Sequence, residues 1–396
     1  MKKRKVLTGN YSAAEAAALC RPDLIAAYPI TPQSSVVEHL AEFVHDGKID
    51  SKMVQVESEH SAMSVLQGAA AAGGRVFTAT SAQGLALMYE PYFRMSTLRF
   101  PMVMAIATRE MTSPETVWSG QQDAISVRDA GWIQMFCDSN QEIVDMVIQG
   151  YMIAEDKRVL IPVNVCYDGF YSSHLTEGLF LPTQEEVDDF LPPIDRHCHP
   201  TLDPEDPLSL DPMTPGELML KYRKNHLEAM NAALDVIEEV DKKFADKFGR
   251  SYGGAIEEYR TEDADVVIVT IGGMTGTGKD AVDIARENGI KAGLVKLRFI
   301  RPFPAKRIAQ ALSGKKAFCV IDRSCCFGWS QGPMHMEVKA ALADVDEKYA
   351  HFSAIGGLGG ADISLKDILD TIKVLDAVKN EPGEKETRWF IDDKEA

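Results

Sequence analysis

The unbroken apolar run Pro101–Ala107 (PMVMAIA) is the feature that most limits what this chain can fold into. It lacks the apolar–polar alternation of a strand with one wet face. Both faces must therefore be covered, as in a parallel strand held between helical layers. Leu24–Tyr28, Met53–Val56, Val76–Thr80 and Leu160–Val165 are further strand candidates. Helix-like stretches separate them. Ala13–Cys20 and Ser61–Ala72 are rich in alanine, and Ser34–Val44 carries Val36, Val37, Leu40 and Phe43 at helical spacing. Strands alternating with helices at this pitch predict an α/β domain built on a mainly parallel sheet.

The pattern stops at Leu191–Pro215, where Pro and Asp are too dense for a regular element. A long helix is expected over Glu217–Phe248, with Leu227, Met230, Leu234, Ile237, Phe244 and Phe248 on its apolar stripe and one face packed on a domain or a partner. Ala264–Ile271 (ADVVIVTI) then opens a second α/β unit, continued by Ala292–Leu297, Ala317–Ile321 and His351–Ile355. The expected organisation is an α/β domain over residues 1–190, a Pro-rich linker and helical arm over 191–262, and a second parallel-sheet domain over 263–396.

Hydrophobic residues make up 45% and charged residues 26%, which excludes wholesale disorder. The formal charge of −17 repels phosphate backbones and anionic lipids, so neither nucleic acid nor a membrane surface is an expected partner. No apolar run reaches the ~18 residues of a membrane span. The basic N-terminus lacks the apolar core of a signal peptide, so a soluble cytoplasmic protein is expected. Seven scattered cysteines and no CxxC pair argue against a disulfide framework, an iron–sulfur cluster or a structural zinc held by this chain. Vicinal Cys325 and Cys326 read first as packing and second as a redox pair.

Three local patterns invite over-reading. Gly273–Asp280 (GMTGTGKD) matches part of a nucleotide-binding loop, but Asp280 stands where Mg²⁺ requires a hydroxyl. It reads as a tight strand-to-helix turn, with a nucleotide-binding regulatory role as the rival. Arg196-His197-Cys198-His199 sits in the Pro-rich segment, where adjacent side chains rarely face one ion, and no metal site is expected there. His60, between carboxylates, is expected to be a hydrogen-bonded structural histidine.

Three other segments follow strand candidates, where open parallel sheets place ligands. They are Tyr28-Pro29-Ile30-Thr31-Pro32, Glu57-Ser58-Glu59-His60 and Thr78–Leu85 (TATSAQGL). Two prolines fix the turn around Thr31. Glu57 and Glu59 have strand spacing and are expected to share a face, where two close carboxylates would raise one pKa.

With YPITPQSS, VESEHSAM, FTATSAQGLALM, RDAGWIQ and PVNVCYDGF, and then LRFIRPFP, DRSCCFGWSQGP and IGGLGG, the sequence resembles the alpha subunit of 2-oxoacid:ferredoxin oxidoreductases. The resemblance spans about residues 8–180 and 263–365, in order. It implies a thiamine-diphosphate pyrimidine-type domain followed by a transketolase C-terminal-like domain. It assigns Glu59 to the pyrimidine nitrogen of the cofactor, Thr31 and Arg109 to the substrate carboxylate, and Pro29, Ile30 and Gln83 to the cofactor's surroundings. The Gly-Asp-Gly tract that holds diphosphate and Mg²⁺ in thiamine enzymes is absent from the sequence. The resemblance therefore implies a beta subunit supplying that half, gamma and ferredoxin-like delta subunits or their fusions carrying iron–sulfur (4Fe–4S) clusters, and coenzyme A as co-substrate.

The implied reaction is oxidative decarboxylation of a 2-oxo acid to its acyl-CoA, with electrons passed to ferredoxin or another acceptor. Pyruvate is the family default. Ser119-Gly120-Gln121 replaces the acid and imidazole of pyruvate-type members with neutral groups, so a roomier or more apolar pocket that admits an aryl 2-oxo acid such as phenylglyoxylate is expected. Oxalate ranks lower, because only Arg109 is evident as a cation. A non-catalytic scaffold subunit is the remaining alternative.

Overall fold

A computed structural model describes residues 3–196, 199 and 201–391. The N-terminal half carries β1 (Lys3–Thr8), β2 (Leu24–Ala27), β3 (Lys52–Gln55), β4 (Val76–Thr80), β5 (Val103–Thr108), β6 (Ile133–Phe136), β7 (Val163–Asp168) and β8 (Thr176–Leu181). The C-terminal half adds β9 (Ile256–Tyr259), β10 (Val266–Thr270), β11 (Ala292–Leu297), β12 (Phe299–Arg301), β13 (Ala317–Asp322), β14 (Ala350–Ile355), β15 (Gly383–Glu384) and β16 (Arg388–Trp389).

The first sheet runs β12-β6-β7-β5-β4-β2-β3 and is parallel except for β12. Every residue of β4 and β5 is buried, as the continuous apolar run requires. The second sheet runs β15-β14-β13-β10-β11-β9, with β16 also on β14 and only β9 antiparallel. Its edge strand β9 lies inside the segment assigned to the linker and arm. Among the described residues no helix is long and apolar enough to cross a membrane.

The long helix spans Gly216–Phe248 and stops at Gly249, whose φ of 71° lets the chain turn away in a left-handed conformation. Its second half buries Ala233, Val236, Ile237, Val240, Phe244 and Phe248 in the core of the first domain. Phe244 and Phe248 both meet the ring of Phe190. Leu227 corrects the expected stripe: it is 61% exposed, because its turn packs on the domain through His226, Ala229 and Met230 and leaves Leu227 on the other side.

Two features lock the halves together. The C-terminal half donates β12 to the edge of the first sheet, beside β6. Just before it, fully buried Lys296 and Arg298 pair with buried Glu142 on the helix Asn140–Ala154, and their charges hold the Glu142 carboxyl far below its usual range. Removing one member of such a buried set costs about 3–5 kcal/mol.

Candidate active site

The strand β3 ends at Gln55, and the helix Glu59–Ala71 begins four residues on. Ser58 caps that helix, its hydroxyl accepting from the Ser61 N–H at 3.2 Å. Glu59 is therefore a first-turn residue rather than a strand residue. Its side chain is 5% exposed, and burial pushes its carboxyl above the usual range. Only its own backbone N–H offsets that shift. The helix Ala82–Leu87 passes so close that a Cβ on Gly84 would lie 2.4 Å from Glu59 Oε1 and 2.5 Å from Thr80 Oγ1. Thr80 Oγ1 and Gln83 Oε1 are buried there without a hydrogen-bond partner.

The expected Glu57–Glu59 pair does not form. Glu57 is exposed, accepts from Ser61 Oγ at 2.7 Å, and has its pKa lowered by that bond. The strand has already ended, so the two residues no longer share a face. His60 reaches Glu90 at 3.2 Å on the surface.

The turn after β2 is fixed from three sides. Gln33 Nε2 donates to Tyr28 O at 3.1 Å and Ala79 O at 2.9 Å. Asn10 Nδ2 donates to Pro32 O at 2.7 Å, and Tyr167 O–H donates back to Asn10 Oδ1 at 2.9 Å. Arg109, at the end of β5, points at this turn and donates from Nη1 to Thr31 O at 3.0 Å. Its other contacts are Thr116 O at 2.9 Å and Glu115 Oε1 at 3.3 Å. The structure thus brings Thr31 and Arg109 together. Gln83 joins them through the loop after Arg109, its Nε2 donating to Thr112 Oγ1 at 2.7 Å. Pro29, exposed, lines a neighbouring cleft of about 760 Å³ with Tyr28, Glu38 and Gln55, whereas Ile30 is half-buried and does not line it.

Sequence reasoning missed the residue that organises this corner. Buried Asp123 accepts from the Ala82 N–H at 2.9 Å and the Arg109 N–H at 3.0 Å with a single oxygen. It thereby ties the helix beside Glu59 to the arginine. It also holds Ala82 at a φ of 38°, a conformation that a residue with a Cβ adopts only when its surroundings impose it. Burial raises Asp123 to about 7 despite these donors. An acid directly before an apolar stretch, in QQDAIS, was the available signal.

The second domain closes the back. Gly360 N–H donates to Ser119 O at 2.7 Å, and Tyr171 O–H donates to Gly360 O at 2.7 Å. Glu110 lies against this junction with Oε2 unpartnered, and burial raises it to about 7. A Cβ on Gly120 would come within 2.2 Å of that oxygen. Ser119 and Gln121 are buried here and spent on Arg323 at 3.1 Å and Asp168 at 3.3 Å. Nearby, exposed Trp118 packs on Phe170 with ring centroids 4.4 Å apart.

Gly273–Asp280 is not a free phosphate loop. Asp168 Oδ2 accepts from the Gly273 N–H at 2.7 Å, and Lys279 pairs with Glu257. Cys325 and Cys326 are free thiols, both half-buried. Of the Arg196–His199 cluster, His197 and Cys198 lie outside the described residues, while His199 packs on Phe100.

Residues 15–242 match the model of the family described as pyruvate flavodoxin/ferredoxin oxidoreductase, thiamine diphosphate-binding, and residues 264–368 match core domain II of pyruvate:ferredoxin oxidoreductase. The chain is 46% identical to the alpha subunit of NADH-dependent phenylglyoxylate dehydrogenase of Aromatoleum evansii, over 96% of this chain and 93% of that one. It is 42% identical to pyruvate synthase subunit PorA of Methanocaldococcus jannaschii, over 95% and 96%. Among solved structures, the 2-oxoglutarate:ferredoxin oxidoreductase of Magnetococcus marinus superposes with a TM-score of 0.74 at 19% identity, covering 95% of this chain and 66% of that longer one. A split-gene transketolase superposes at 0.57 and 12% identity, over 94% and 99%. These two likenesses speak for the fold, and the α/β architecture with two parallel-sheet domains agrees with them. By sequence and family model alike, the chain belongs to the pyruvate flavodoxin/ferredoxin oxidoreductase family, as an alpha subunit of the 2-oxoacid oxidoreductases.

Proposed function

We propose that the chain is the thiamine-pyrimidine half of a multi-subunit cytoplasmic enzyme that oxidatively decarboxylates a 2-oxo acid to its acyl-CoA. The observation that carries this reading is the Glu59 cradle: a buried carboxyl offset only by its own backbone amide, with an unpartnered Thr80 hydroxyl and a glycine that leaves space beside both. These groups fit an aminopyrimidine ring, which brings both donors and acceptors to meet them. Thiamine diphosphate bound there would supply an electron sink for the decarboxylation.

Each residue then has a definite task. Glu59, kept protonated more readily by its burial, holds a proton at the pyrimidine ring nitrogen. Gln83 and the Pro29–Ile30 turn bound the ring's surroundings. Arg109 grips the substrate carboxylate with the guanidinium donors not used by Thr31 and Thr116, and Glu115 gives way to it. The Thr31 hydroxyl, exposed on its fixed turn, donates to the same carboxylate. Diphosphate, Mg²⁺ and the iron–sulfur clusters belong to beta, gamma and delta partners, and electrons leave to ferredoxin or another acceptor.

Two substrates are favoured. Pyruvate follows from the family. An aryl 2-oxo acid such as phenylglyoxylate is supported by the Trp118–Phe170 pair, placed beside the Thr31 turn by Gly169, whose Cβ would lie 2.9 Å from Pro32 Cγ. Steady-state assay of the purified complex against pyruvate, phenylglyoxylate and oxalate tests the reading: turnover with one of the first two is expected, and none with any 2-oxo acid would overturn it.

A further inference from the structure

Far along the second sheet, β15 sets Glu384 directly across from His351 of β14. His335, on the helix Pro333–Ala341, is fully buried next to them. His335 Nε2 and His351 Nδ1 are 3.2 Å apart. One ligand atom from each of His335, His351 and Glu384 lies within 4.8 Å of those of the other two. Two nitrogens bound to one tetrahedral zinc ion at ~2.0–2.1 Å are separated by about 3.3 Å. The imidazole pair already has the spacing of one edge of such a coordination tetrahedron.

The surroundings point the same way. Gln331 Oε1 lies 2.7 Å from His335 Nδ1. Accepting a hydrogen bond there, it fixes the tautomer that leaves the Nε2 lone pair facing His351, as partners behind zinc-bound histidines do. His351 stacks on Phe318 with centroids 5.0 Å apart and planes 5° from parallel, which holds its ring. A positive charge already occupies the carboxylate: Lys339 Nζ lies 2.9 and 2.8 Å from the two Glu384 oxygens and 3.5 Å from Gln331 Oε1. That ammonium is a third exposed on a long flexible stem and can withdraw to water when an ion arrives.

We propose that His335 Nε2, His351 Nδ1 and a Glu384 oxygen form a site for a divalent transition metal of the zinc class, completed by water. Nothing in the decarboxylation chemistry requires it. Its effect is structural: the ion ties the β15 segment to β14 and to the helix that follows the Cys325–Gly332 loop. The rival is a purely structural stack in which His351 Nδ1–H donates to His335 Nε2.

The test titrates the metal-stripped full chain with ZnCl₂ alone in a non-chelating buffer, by calorimetry and by melting temperature. One saturable site per chain, with a rise in melting temperature, is expected. His351→Asn and Glu384→Gln, chosen because both positions reach solvent, should each weaken binding at least ~10-fold, and Gln331→Ala should weaken it ~10–100-fold, the usual cost of losing a partner behind a metal-bound histidine. Lys339→Ala, which removes the competing ammonium, should strengthen it. Absence of saturable binding, or zinc affinity unchanged in both His351→Asn and Glu384→Gln, overturns the proposal.

Discussion

The two parallel sheets end differently. Beyond the carboxyl ends of the first sheet, Glu59 and Thr80 Oγ1 converge on Gly84, and Thr80 Oγ1 and Gln83 Oε1 are buried without a partner. Beyond those of the second, the chain supplies its own anions. Asp322 accepts from the Met334 and His335 N–H groups at 2.9 and 3.3 Å, filling the start of one helix. Asp168 of the first domain does the same at Gly273, the start of another. Open parallel sheets place ligands at these edges. The first edge also carries a carboxylate on a helix start, Asp123 on the Ala82 N–H at 2.9 Å, but it keeps the unpartnered oxygens of Thr80 and Gln83 as well. The unmet oxygens of Thr80 and Gln83, more than topology, single out the edge proposed as the site.

The largest break in that contrast comes from Glu59→Gln, which keeps the shape but removes the acid. Turnover of the assembled complex should fall at least ~10²-fold, the lower range for loss of a positioned proton-transfer group. Near-wild-type turnover with intact assembly would take Glu59 out of the site.

Arg109→Lys is expected to act next most strongly. It keeps the charge and loses the planar fork. A charge-assisted hydrogen bond is worth about 1.5–3 kcal/mol, so kcat/KM should fall by about 10–150-fold, mainly through KM. If Arg109 only anchors the loop through Thr116 and Glu115, the variant will instead melt lower with KM unchanged.

On the filled edge, the readout is stability against pH. Burial raises Asp322 to about 7, well above an unfolded carboxyl near ~3.9. The folded chain therefore retains a proton that the unfolded chain releases. This contribution is fully present below about pH 4 and is lost as pH rises to about 7. The melting temperature of the wild type, relative to Asp322→Asn, should decline across that window; a constant difference would refute the assignment.

The smallest effect is expected at Lys279→Ala. The partly buried pair with Glu257 is worth roughly 1 kcal/mol or less, and equilibrium dialysis should find no ATP bound to either form. Tight ATP binding by the wild type that the variant loses would restore the nucleotide-loop reading of Gly273–Asp280.

Much of the fold was legible because it follows from local rules. β5 is a continuous apolar run, and the turn at Thr31 is set by its own prolines. Glu59 could be proposed because a short motif surrounds it. Glu57 was misread because the period changes from 2 to 3.6 between Gln55 and Glu59, and Ser58, a good cap, was the residue that signalled the change. The Glu115 contact to Arg109 depends on how a loop folds back, which no periodicity encodes. Asp123 acts through backbone amides of two distant segments, and His335, His351 and Glu384 come from a helix and two strands, so neither set has a spacing to recognise.

The passage of β12 into the first sheet has a consequence for how the protein is made. On the ribosome, the N-terminal half emerges with the outer edge of Ile133–Phe136 bare, and that edge stays bare until Phe299–Arg301 has been synthesised. An uncovered parallel sheet edge is a template for pairing with other nascent chains. The buried cluster of Lys296 and Arg298 on Glu142 forms at the same stage of synthesis, because it immediately precedes β12 in the chain. Completion of the first domain is thus a late event in translation, and a chain cut short before Phe299 would be released with its first sheet unfinished.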